Sequence, residues 1–81
     1  MKPWTQYYRS FENEDLGGIY TACLAVQGNR GEVEVVLEGS QRWEWVASVT
    51  GKNHTQVKAA ASRAIKKVIP SAYWMTDWDR D

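Results

Sequence analysis

The sequence predicts an α+β fold, a three- or four-stranded antiparallel meander with one amphipathic helix packed on one face, in the order β-β-β-α. Three observations predict it. Residues 19–27, 32–38 and 42–50 are short runs rich in β-branched and aromatic side chains and bounded by turn residues. Within the second and third runs apolar and polar residues alternate with period two, as on a half-buried antiparallel sheet. A single apolar stripe with helical spacing then runs from Val57 to Val68. At 81 residues the chain is expected to form one domain with one core.

In the first run Tyr20, Ala22, Leu24 and Val26 share a face. In the second, Val33, Val35 and Leu37 face one way while Glu32, Glu34 and Glu38 face the other. In the third, Trp43, Trp45, Ala47 and Val49 oppose Arg42, Glu44, Ser48 and Thr50. Because a one-residue slip would move every apolar side chain into water, the faces fix an expected register. A loop at 28–31 sets Val26 opposite Val33 and Leu24 opposite Val35. A three-residue loop, Gly39-Ser40-Gln41, sets Leu37 beside Trp43, Val35 beside Trp45 and Glu38 opposite Arg42.

The helix is expected over 54–69. Its apolar residues, at 57, 60, 61, 64, 65 and 68, form one stripe. Asn53 is placed to cap it with Gln56 three residues on, Lys66 and Lys67 stand at the negative end of its dipole, and Pro70 stops it. Ala60, Ala61 and Ala64 would let the helix approach the sheet closely where Trp43 and Trp45 need room. Lys58, Ser62, Arg63, Lys66 and Lys67 fall on the opposite half of the wheel, which makes the outward face basic. The segment 1–18 reads equally as a helix or an edge strand, through Trp4, Tyr7, Tyr8 and Phe11, followed by an acidic loop. In the tail, 70–81, Trp74 and Trp78 are spaced for one helical turn.

Charge places the candidate surfaces. Ten Lys and Arg balance ten Asp and Glu, but the signs segregate along the chain. Residues 11–44 hold seven acids against Arg30 and Arg42, whereas 45–76 hold Lys52, Lys58, Arg63, Lys66 and Lys67 with no acid. A molecule with one acidic and one basic side is expected. The solitary Cys23 builds no disulfide, no run approaches a membrane span and no secretory signal opens the chain, so a cytoplasmic location without membrane attachment is expected. The glycosylation pattern Asn53-His54-Thr55 is then a chance match.

No residue set announces bond-making chemistry. His54 is the single imidazole and sits beside a helix cap, while Cys23 lies mid-strand as a small hydrophobe. One Cys and one His far apart do not make a zinc site, and Gly17, Gly18, Gly28 and Gly31 match no phosphate-binding spacing. We expect no catalytic residue, no metal and no cofactor.

Two binding surfaces are expected in its place. The first combines Glu32, Glu34, Glu38 and Glu44 with Trp74, Asp77, Trp78 and Asp79, and suits a partner protein with a basic surface, such as a complex that binds nucleic acid. Carboxylates would steer the encounter and aromatics would anchor it. Small, compact and aromatic-rich, the chain resembles in type the accessory proteins of phages, anti-CRISPR inhibitors among them. That resemblance implies stoichiometric inhibition of a host defence complex by a monomer or homodimer, and it assigns no residue.

The second surface is the basic helix face, with Lys52, Lys58, Arg63, Lys66 and Lys67 available to neutralise phosphates. Strands followed by an alanine-rich helix over 19–69 resemble the latter part of a double-stranded-RNA-binding domain, which implies direct nucleic-acid binding through those five residues. Such domains open with a helix and carry a Lys-Lys-x-Ala-Lys cluster at the start of the last one. Thr55-Gln56-Val57-Lys58-Ala59 stands there in this chain.

Overall fold

The computed structural model describes residues 4–80. Four strands, β1 (Thr5–Asn13), β2 (Ile19–Gln27), β3 (Arg30–Leu37) and β4 (Glu44–Thr50), form an antiparallel meander. The helix α1 (His54–Val68) follows, and the chain ends in two short strands, β5 (Ala72–Trp74) and β6 (Asp79–Arg80). Both pair with the outer edge of β1, giving the order β4-β3-β2-β1-β5 with β6 beside β5's position on β1. The fold is α+β as expected, with the N-terminal segment supplying the fourth strand and the tail two more. Among the described residues neither end is helical. The alternation of Tyr7, Phe11 and Asn13 inward with Gln6 and Glu12 outward settles β1 as a strand.

The core lies between α1 and one sheet face. Phe11, Ala22, Leu24, Val26, Val33 and Val35 from the sheet meet Val57, Ala61 and Ile65 from the helix, an i, i+4, i+8 line at one turn per step. Asn53 caps α1, accepting from the Gln56 N–H at 2.9 Å. The Gln56 side chain accepts in turn from Lys52 N–H at 2.9 Å, one residue earlier than the reciprocal arrangement the sequence predicts.

The β2–β3 hairpin departs from the expected register, and the β3–β4 pairing keeps it only from Arg30 to Val33. The β2–β3 loop is the two-residue turn Gly28-Asn29, so Val26 faces Gly31 and Leu24 faces Val33. Gly28 takes a φ of +64° and Asn29 a negative φ, the pattern of a II′ turn matched to strand twist. The register slides by two residues, so every side chain keeps its face. In β4 the outcome differs. A β-bulge at Val46 leaves Ala47 opposite Val33 but Trp45 opposite Glu34 and Glu44 opposite Val35. The extra residue reverses the parity of everything before it. Trp45, predicted to pack beneath the alanines of the helix, turns to the other face and is 63% exposed, and Trp43 is exposed in the connecting loop. Val46 and Val49 pack against the core instead.

The tail is bound by side chains as well as strand pairing. Arg9 donates through Nε to the Thr76 carbonyl at 2.7 Å and through Nη1 to Ser62 Oγ at 2.8 Å, and its guanidinium lies 4.0 Å from the centroid of the Trp74 ring. Burial disfavours the charge on Arg9, which Asp77 partly offsets. Trp78 is 8% exposed and donates from its indole N–H to Ser62 Oγ at 2.9 Å. The wheel position of Ser62 is outward, but the returning tail covers it.

Candidate protein-binding surfaces

With α1 on one side, no described helix or strand packs on the other face of the sheet. Strand parity places Tyr8, Ser10 and Glu12 of β1, Thr21, Cys23 and Ala25 of β2, Glu32, Glu34 and Val36 of β3, and Ser48 and Trp45 of β4 on it. From the tail, Tyr73 pairs with Glu12 and Asp79 with Tyr8, so both join this face. Its described carboxylates, Glu12, Glu32, Glu34 and Asp79, are set against Arg30. The four described lysines, Lys52, Lys58, Lys66 and Lys67, all lie in α1 or just before it, in the other layer.

Glu32 is the best-held of these carboxylates. It accepts from Ser48 Oγ at 2.6 and 2.8 Å, from the Trp45 indole N–H at 3.3 Å and from Arg30 Nε at 3.2 Å. The Ser48 hydrogen bond above all, with those of Trp45 and Arg30, holds its carboxyl below the ordinary glutamate range against the opposing effect of desolvation. A sequence-only reading gives Glu32 a solvated role and Trp45 a core role. The bulge joins them into one exposed acidic and aromatic cluster.

The expected acidic surface is therefore regrouped. Glu32, Glu34 and Asp79 share the open face, and Glu38 lies exposed in the loop that follows β3. Glu44 is turned by the bulge to the helix side. Asp77 lies beside Arg9 and Lys58 on the helix side, Trp74 is half-buried against Phe11 at a ring separation of 5.5 Å, and Trp78 is core. Exposed aromatic surface comes from Trp45 and Tyr73, which the sequence did not single out for this role.

The basic helix face is divided too. Lys58 sits 4.9 Å above the Tyr7 ring, and Lys66 donates to the carbonyls of Pro70 and Ala72 at 3.1 and 2.8 Å. Lys52, Arg63 and Lys67 are exposed. The opening helix of a double-stranded-RNA-binding domain has no counterpart, since a strand, β1, stands in its place.

His54 and Cys23 lie apart in the fold, His54 Nδ1 pairing with the Tyr7 hydroxyl at 2.7 Å on the helix side while Cys23 faces the open side of the sheet. Among the described residues no three His, Cys, Asp or Glu side chains gather as a metal site. No helix among them is long and apolar enough to cross a membrane. No protein-family model, curated protein or solved structure matches the chain.

Proposed function

We propose that this protein is a non-catalytic protein-binding module whose open sheet face captures a basic surface on a nucleic-acid-handling complex, in the manner of the phage-encoded inhibitors it resembles in type. The observation that carries the reading is the placement of charge about the sheet: Glu12, Glu32, Glu34 and Asp79 share one face with Trp45 and Tyr73, and every described lysine lies in the other layer. A face of this composition steers a cationic partner by its field and anchors it through the aromatic rings. The same field opposes phosphate, so a nucleic acid is not the ligand of this face.

The test is affinity capture from host lysate with the wild-type chain and with the Glu12→Lys/Glu34→Lys double variant, Ala59→Lys serving as a control on the helix. All three positions are exposed, so the fold is kept. Basic nucleic-acid-binding proteins retained by wild type and by the Ala59 variant, but lost from the double variant, are expected. Identical captured sets from all three would overturn the reading. Titration with labelled duplex at low salt completes the test, because micromolar, steeply salt-dependent association lost in Lys52→Glu/Lys67→Glu would assign function to the helix face instead.

A further inference from the structure

On the helix side of the sheet, at the end of the molecule where α1 stops, an open groove of about 480 Å³ lies against the β1–β2 turn. Tyr20, Val35 and Val46 contribute sheet residues to it, Leu16 comes from the turn, and Val68 and Ile69 come from the helix end. Its size falls within the range of ligand-binding pockets. The surrounding backbone is held in place by one buried side chain. Asn13 Oδ1 accepts from the N–H groups of Asp15 and Leu16 at 3.1 and 3.2 Å and from the Ser71 hydroxyl at 2.7 Å. The Glu14 N–H also donates to the Ser71 carbonyl at 3.2 Å. Turn and helix exit are thus tied together before anything fills the space between them.

Two features describe what would fill it. Leu16 is 84% exposed and Val68 62%, so apolar surface continues out of the groove onto its rim, as at protein-docking sites. The charged side chains lining it are of one sign, Asp15 and Glu44. Glu44 belongs to the groove because the bulge at Val46 returns it to the helix side opposite Val35.

We propose that this groove docks a segment of a partner protein in which an arginine or lysine stands beside a large apolar residue. The apolar side chain covers Tyr20, Val46 and Val68, and the cation pairs with Asp15 and Glu44. The proposal is independent of the open-face reading. The competing occupant is a second copy of this chain, through the exposed pair Arg42-Trp43; Arg42, however, already lines the adjoining depression with Glu44 of its own chain.

The experiment is an NMR titration of the full chain with a blocked pentapeptide alternating leucine and arginine, and with its leucine–glutamate counterpart. Amide shifts at Asp15, Leu16, Glu44, Val46, Val68 and Ile69 with the arginine peptide alone are expected. Leu16→Ser and Glu44→Gln, both at exposed positions, are each expected to weaken binding about fivefold. No shift at millimolar peptide, or shifts confined to Glu12, Glu32 and Glu34, overturns the groove proposal; the second result leaves the open-face reading standing. A concentration-dependent mass abolished by Trp43→Ala overturns it in favour of self-association.

Discussion

A methyl group added at Gly31 would lie 2.7 Å from Leu24 Cδ1 and 2.8 Å from Val57 Cγ1, atoms of side chains with no exposed surface. Neither neighbour has open space to move into, so Gly31→Ala is expected to destabilise the fold by about 1–3 kcal/mol, read as a lower urea midpoint at unchanged slope. In the sequence Gly31 looks like a turn glycine, because three neighbours, Gly28, Asn29 and Arg30, also read as turn. Its true role depends on the helix that crosses it from far along the chain. Glu32 gives the second prediction. Its carboxyl is held below the ordinary glutamate range, so its contribution to stability is present above about pH 4.3 and is lost as pH falls through the lowered folded value. The stability difference between wild type and Glu32→Gln, measured by denaturation from neutral pH downward, is expected to shrink over that acid range and vanish below it. Trp78 was legible as an aromatic but not as core. Only the return of the tail over Ser62 puts it inside.

Elements were legible where one local period governs them. The apolar stripe and the cap of α1 follow from spacing alone, and Asn53→Ala is expected to cost about 1 kcal/mol, checked by thermal unfolding, since it leaves the Gln56 N–H without its side-chain acceptor. Strand faces in β2 and β3 were equally legible, because sliding a hairpin by two residues preserves parity. The bulge in β4 was not. Trp43, Trp45, Ala47 and Val49 alternate without interruption in the sequence, and nothing local marks Val46 as the extra residue. What selects it is the sheet as a whole, where Val46 and Val49 can pack on the core while Trp45 gains Glu32 as an acceptor on the far side. Of the expected acidic set, Glu32, Glu34 and Asp79 therefore share one face and Glu44 does not, while Trp45, a core residue by sequence alternation, is the exposed aromatic beside Glu32.

At the scale of the molecule, segregation of charge along the chain becomes a partial segregation across the sheet: Glu12, Glu32, Glu34 and Asp79 lie on the open face and the described lysines in the helix layer, while Asp15, Glu44 and Asp77 stand on the lysine side. The ends were not legible for a related reason. The pairing of β5 and β6 with β1 joins residues at opposite extremes of the sequence, and no periodicity within a short window reports a contact of that range. The indole of Trp78, the guanidinium of Arg9 and the hydroxyl of Ser62 then close the edge that β1 would otherwise present to solvent.

Tyr7 and Arg80 are cross-strand partners. A short glycine–serine bridge from residue 80 to residue 4 should therefore close the backbone into a ring without strain, and new ends can be opened in the exposed connection at 39–42. Such a circular permutant is expected to regain the native far-ultraviolet dichroism and a cooperative melt, whereas ends opened inside β1 should not. The same adjacency means that β1 gains its second neighbour only when the tail folds back on it.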